Sequence, residues 1–331
     1  MSGARGLPSL VVAAAALALA ACAGPMAWQS REVFESNDFI VTFAREGDTA
    51  QSLAARFLGD PGKAWMIEDY TGLARFTPGQ EVVIPRKPWS PAGVYPNGYQ
   101  LVPVLVYHNI APQAKGRLVM AAGTFQQQMR YLKARGYRVV SLDDLIEHTA
   151  LGRQLPRRSV VLTFDDGYKS FLQYARPLLK ELGFPATLFV YTDYVGTGRG
   201  ALTWDDLKSL ASDGFRIGAH SKTHSDLRRQ PGESDQEFAR RMRAELDEPL
   251  ALFRRQLGSA PQVIAYPYGA LDDELVQQVR EHGYIAAFSV RREGNAAFVH
   301  PLRIHRSQIY SDMTLEDFAR SLDVFHQETL R

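Results

Sequence analysis

The stretch Ser159-Val160-Val161-Leu162-Thr163-Phe164-Asp165-Asp166-Gly167-Tyr168 decides the fold. Its first six residues are apolar or β-branched almost without a break, the pattern of a strand buried on both faces. It then turns abruptly polar, with two carboxylates and a glycine that permits a sharp turn. Comparable runs lie at 102–107, 137–140, 186–191, 215–219, 262–266 and 284–290. Helical stretches separate them at 124–135 (opened by a Thr124…Gln127 capping box), 143–149, 169–182, 204–212, 235–257 and 271–282. Several of these end at a glycine, and Pro249 should kink the longest. Seven strand–helix units whose strands do not alternate predict an α/β domain: a parallel sheet covered by helices and closed, or nearly closed, into a barrel.

The chain has 331 residues, which favours two domains. It is 45% apolar and 22% charged, an ordinary folded composition. Lys plus Arg (38) nearly balances Asp plus Glu (36), and no basic run stands out, so a nucleic-acid partner is not expected. One cysteine excludes an internal disulfide framework and a thiolate zinc cluster. The cysteine is Cys22, at the end of a twelve-residue apolar run that begins at Leu10 behind Arg5. That run is too short to span a bilayer and reads as a secretory signal. Leu19-Ala20-Ala21-Cys22 resembles a bacterial lipobox, which implies a signal peptide over 1–21, lipidation of Cys22 and a tether over 22–38. The expected location is the bacterial cell envelope, with Ala23 leaning towards the outer membrane and its periplasmic face. The lipid would be the only membrane anchor.

Residues 39–86 read as strand, helix, helix, strand, with Gly47-Asp48-Thr49 supplying a turn and an N-cap. The segments GDTAQSLAARF (47–57) and PGQEVVIP (78–85) resemble a LysM module, a small α+β unit that binds N-acetylglucosamine-containing chains. Prolines 85, 88, 91 and 96 then predict a stiff spacer over 87–99 before the large domain, 100–331.

In parallel α/β barrels chemistry gathers at the C-terminal strand ends. Here the first strand runs into His108-Asn109, and the 159–164 strand into Asp165-Asp166-Gly167. The 215–219 strand runs into His220, with His224 four residues on, and the 262–266 strand into Pro267-Tyr268-Gly269. Two imidazoles and a carboxylate make a catalytic metal site with open positions, whereas the absence of Glu within His220–His224 excludes a zincin.

LTFDDGY (162–168), HSKTH (220–224) and YPYG (266–269) resemble the first three motifs of NodB-type polysaccharide deacetylases, carbohydrate esterase family 4. The resemblance implies a distorted (β/α)7 barrel. It also implies Asp165 as general base, and Asp166, His220 and His224 as ligands to a divalent metal, usually Zn2+. Substrate and oxyanion contacts would come from Pro267, Tyr268 and Gly269. Three departures stand out: Ala265 occupies the place of a base-orienting Arg, no Trp motif falls near 287–292, and no late Leu-His-Asp supplies the acid. VLVYHN (104–109) instead resembles poly-N-acetylglucosamine deacetylases, whose acid histidine comes first in the chain. This implies His108 as the acid, with His300 and His305 as rivals, and Arg303 as the replacement for the missing Arg. The implied reaction is N-deacetylation of an N-acetylglucosamine polysaccharide, either peptidoglycan or an exported polymer. The alternatives are O-acetyl esterase action and a non-catalytic carbohydrate-binding lipoprotein. Trp204 reads as packing, His148, His282 and His326 as surface residues, and Glu237 and Glu245 with Arg240, Arg241 and Arg243 as a solvated helix face.

Overall fold

A computed structural model describes residues 33–329, in two compact units that divide between Arg86 and Lys87. The signal peptide, Cys22 and the first part of the tether lie outside the described residues.

The first unit contains β1 (Val33–Glu35), β2 (Phe39–Phe43), α1 (Ala50–Leu58), α2 (Ala64–Thr71) and β3 (Glu81–Pro85). Its strands pair antiparallel in the order β1-β2-β3, so Val33–Glu35, expected within the tether, is an edge strand of this sheet. Thr49 and Ser52 satisfy each other's backbone N–H at the start of α1, and Gly59 ends it at φ +68°. Ile40, Leu53, Ile67, Val82 and Ile84 fill the space between sheet and helices.

The second unit opens with β4 (Val94–Tyr95) and β5 (Gly98–Gln100), a hairpin. Residues 87–99 are therefore no free spacer: Gln154 Oε1 accepts from the N–H groups of Trp89 and Ser90, both at 2.9 Å. Ser90 O likewise accepts from Gly93 N–H at 2.9 Å, and Gly93 O from Gln100 N–H at 2.8 Å. Next come β6 (Val104–Tyr107), β7 (Asn109–Ala111), β8 (Val119–Ala121), α3 (Ala122–Ala134), β9 (Arg138–Val139) and α4 (Leu142–Thr149). Helix α3 starts before Thr124, so the expected capping box does not form. Then follow β10 (Ser159–Phe164), α5 (Arg176–Leu182), β11 (Thr187–Val190), α6 (Trp204–Ser212), β12 (Arg216–Ala219), α7 (Asp235–Met242) and α8 (Glu248–Leu257). The chain closes with β13 (Val263–Ala265), α9 (Asp273–Glu281), β14 (Ala286–Phe288), β15 (Ser307–Gln308), α10 (Leu315–Ala319) and β16 (Phe325–Gln327), the last paired with β5. At Pro249 the expected kink is a five-residue π turn, Arg243–Asp247, between α7 and α8.

Seven parallel strands run in the order β14-β13-β12-β11-β10-β6-β15, with β9 attached only to β10. Residues on one sheet face, such as Leu105, Leu162, Leu188 and Ile264, pack with the covering helices. Those between them, Val104, Val161, Phe189, Val263 and Phe288, gather in a second cluster with Ile304. Both faces are thus apolar, which is why the strands do not alternate. The sheet curls until its two edges nearly meet. Ile304 bridges to Phe288, while Ser307 and Gln308 pair with Leu105 and Val106, so residues 304–308 touch both edges. The expected seven strands included 137–140. The seventh strand of the path is instead β15, which reads as polar Ser-Gln and carries no apolar signal.

Candidate metal centre and its carboxylate pair

Parallel register sets the site. Phe164 lies beside Tyr107, and Asp165 N–H donates to Tyr107 O at 2.9 Å. Asp165 and His108 therefore leave neighbouring strand ends at one level. His220 follows β12 directly, its N–H held by Val190 O at 2.9 Å. Of the five described non-glycine residues with positive φ, four sit at this rim: Asp166, Ser221, His224 and Tyr268. Strain of this kind costs free energy and collects where side chains must be aimed. At Gly269 (φ +67°) an added Cβ would collide with the Val290 backbone, so the turn after β13 requires glycine.

The loops bring three donors together. Asp166 Oδ1 lies 3.6 Å from His220 Nε2 and 3.4 Å from His224 Nε2. It is buried and has no hydrogen-bond partner. These distances exceed a hydrogen bond. They approach the edge, about 3.4 Å, of a tetrahedron with ~2.0–2.1 Å arms, the reach of nitrogen and oxygen around zinc. An orphaned carboxylate oxygen facing two imidazole nitrogens fits a divalent cation. His220 is oriented by a 2.7 Å contact between Nδ1 and Ala265 O, which turns Nε2 to the cluster. Burial lowers His220 to about 4 and lowers His224 as well, keeping both imidazoles neutral at neutral pH. Burial, and then the neighbouring Asp165 charge, push Asp166 up to about 6 against the opposing pull of His108.

Asp165 has a different environment. Arg306 Nη1 and Nη2 donate to its Oδ1 and Oδ2, both at 2.7 Å, and both side chains are almost fully buried. Burial alone would raise this carboxyl. The charge of Arg306, then that of His220, and the Arg306 hydrogen bonds outweigh it and hold Asp165 at about 2. Arg306 is itself braced by Ser289 O (3.0 Å) and Thr163 Oγ1 (3.3 Å), with its guanidinium 5.3 Å from the Phe189 ring centre. Arg303, expected in this role, instead pairs with Asp273 at the surface. The cause is the unforeseen β15: it aligns Ser307 with Leu105, which sets Arg306 beside Val104, a residue of the second cluster, where its side chain reaches Thr163 and Asp165.

His108 Nδ1 is buried without a partner, and the imidazole lies near enough to act electrostatically on both Asp165 and Asp166. The rival histidines are engaged elsewhere. His300 accepts from Leu302 N–H and meets Arg280, while His305 Nδ1 lies 3.1 Å from Glu293. By register, His305 belongs to the N-terminal end of the strands, opposite His108. Pro267 is buried, whereas Tyr268 is 70% exposed, its ring 4.8 Å from that of His224. Tyr191, Tyr194 and Tyr168 continue this aromatic rim, which borders a groove that Lys169 and Arg199 also line. Trp204 packs edge-on against Phe253. His148 is fully buried, its Nδ1 2.8 Å from Arg153 O, so the surface assignment for this residue was wrong.

Residues 152–287 match the polysaccharide deacetylase family. YxkH of Bacillus subtilis (strain 168) is 26% identical over 183 residues, covering 55% of this chain and 62% of that protein. The poly-beta-1,6-N-acetyl-D-glucosamine N-deacetylase of Escherichia coli (strain K12) is 23% identical over 287 residues, covering 75% of this chain. The chain spans only 41% of that relative's length. Among solved structures, IcaB from Ammonifex degensii superposes with a TM-score of 0.61 at 25% identity, over 68% of this chain and 99% of that one. The curled parallel sheet is the fold of these deacetylases, and residues 152–287, which match the family, lie within the second unit.

Proposed function

We propose that the second unit hydrolyses the N-acetyl groups of an N-acetylglucosamine polysaccharide and releases acetate. One observation carries this reading: a buried carboxylate held ionised by Arg306 stands beside a three-donor cluster, with an imidazole on the adjacent strand end. Asp166, His220 and His224 hold a divalent metal, most simply Zn2+, which when bound acidifies water and polarises the acetyl carbonyl. Asp165 takes the proton of the attacking water. At about 2 its carboxyl is a weak base but is always ionised, and each oxygen keeps a lone pair beyond the one Arg306 uses. The Tyr268 turn offers a backbone N–H to the carbonyl oxygen as negative charge develops there. His108 delivers a proton to the departing nitrogen, which cannot leave as an amide anion. The aromatic rim from Tyr268 to Tyr168 gives apolar faces on which sugar rings can stack.

The relatives' printed substrate favours poly-β-1,6-N-acetylglucosamine over peptidoglycan. In the same reading Cys22 is lipidated and anchors the chain in the cell envelope, and the first unit is a LysM-like module that binds the glycan. The test is acetate release by the zinc-loaded protein from β-1,6-linked N-acetylglucosamine oligomers and from peptidoglycan. Acetate that vanishes in Asp165→Asn supports the proposal. Acetate from O-acetylated xylan alone would replace it with an esterase, and none from any substrate, with metal bound, would leave a binding protein.

A further inference from the structure

The two histidines of the cluster bracket a short loop, His220–His224, with a strained backbone. Ser221 and His224 adopt φ of +67° and +62°; Ser221 Oγ accepts His224 N–H at 3.0 Å, Thr223 Oγ1 meets Ser225 Oγ at 3.0 Å, and Ser221 O and Lys222 O accept from the N–H groups of Thr192 and Asp193. Between the two histidines, the N–H groups of Lys222 and Thr223 point away from the cluster towards the helix that follows. Both donate to one oxygen, Oε2 of Glu245, at 3.0 Å, and Thr223 Oγ1 donates to Oε1 at 2.7 Å. Glu245 is 5% exposed, so it is no part of the solvated face expected for this helix. It lies in the π turn Arg243–Asp247, and such turns recur where a helix must aim one side chain at a function. The turn is fixed from below: Tyr284 OH donates to Leu246 O at 3.2 Å, and Pro249, the second residue of α8, has no N–H to close a regular turn.

We infer that Glu245 is a positioning residue for metal binding: its carboxylate clamps the backbone of Lys222 and Thr223 and so fixes the relative aim of His220 and His224. This rests on the reading that these histidines hold a metal. Two backbone donors and the Thr223 hydroxyl are ordered through one buried carboxylate, and Thr223 is the one loop side chain so fixed. This pre-pays the ordering that binding would otherwise require.

The experiment measures zinc affinity of the full chain by competition with a chromogenic chelator, for wild type, Glu245→Ala, Glu245→Gln and Asp166→Asn. Thermal midpoints of the metal-free proteins and acetate release across a zinc titration are measured alongside. The expected result is a rise in zinc Kd of about 10–100-fold for Glu245→Ala. A smaller rise is expected for Glu245→Gln, which keeps one acceptor oxygen, and saturating zinc should return activity to within about twofold of wild type. A wild-type Kd in both variants, with Asp166→Asn impaired, overturns the inference and leaves the metal site standing. No zinc binding by wild type overturns the metal reading itself. Should Glu245→Ala fail to fold, the Glu245→Gln affinity decides.

Discussion

The two halves of the site are built by different means. On the β10–β12 side three groups follow their strands directly, Asp165 and Asp166 after β10 and His220 after β12, and His224 comes four residues later. On the side where β14, β15 and β6 come together, the decisive group is Arg306, which enters next to a two-residue strand and reaches Asp165 across 141 positions of sequence. The first half is aimed by left-handed backbone at Asp166, Ser221 and His224, with Glu245 holding the loop between the two histidines. The second is aimed by closure of the sheet. A single pair of adjacent carboxylates shows the result: one carboxyl is held at about 2 by Arg306, and the other is raised to about 6 by burial.

This contrast can be broken by substitution. Asp165→Asn should lower acetate release by up to about 10⁴-fold while leaving zinc binding intact, because it removes the proposed base and spares the three proposed metal donors. Arg306→Met should destabilise the protein by about 3–5 kcal/mol, since Asp165 would be left as an unpaired buried charge. The Arg306→Met/Asp165→Asn double variant should recover much of that loss in urea unfolding, and simple additivity would show the pair is not coupled. His108→Ala should cost about 10²-fold in kcat, whereas His305→Ala and His300→Ala should change it less than about twofold. Full activity in His108→Ala would sink the acid assignment.

Acid unfolding sharpens the comparison. Asp165 titrates lower in the folded chain, so its contribution is present above about pH 4 and lost as pH falls through about 2. That contribution is of order 2 kcal/mol. His220, lowered to about 4 by burial, adds a separate loss that starts higher, near its ordinary value and below. Metal-free wild type should therefore lose more stability than Asp165→Asn as the pH falls from about 4 to 2. The smallest effect belongs to Arg303→Ala, whose surface pairing with Asp273 should be worth less than about 1 kcal/mol and leave activity unchanged.

Legibility followed range. The strand cores, the N-cap at Thr49 and the polar strand ends are written in adjacent residues. The helix start at Ala122 was missed because packing, and not the available Thr124 cap, decides where α3 begins. Arg306 was missed because the candidate arginines in Arg303-Ile304-His305-Arg306 are distinguishable only once β15 is registered on β6. Glu245 was missed because charge alternation along α7 resembles a wet surface, and only the loop packed against it makes it interior.

By itself, the sequence determined a parallel α/β domain and the residues clustered at the strand ends, because strand burial and turn chemistry act over a few residues. The tertiary structure alone decided which arginine meets Asp165, which histidine shares its rim, and which glutamate braces the loop. Those pairings join segments far apart in the chain, and their energies depend on a burial that exists only after the sheet has curled.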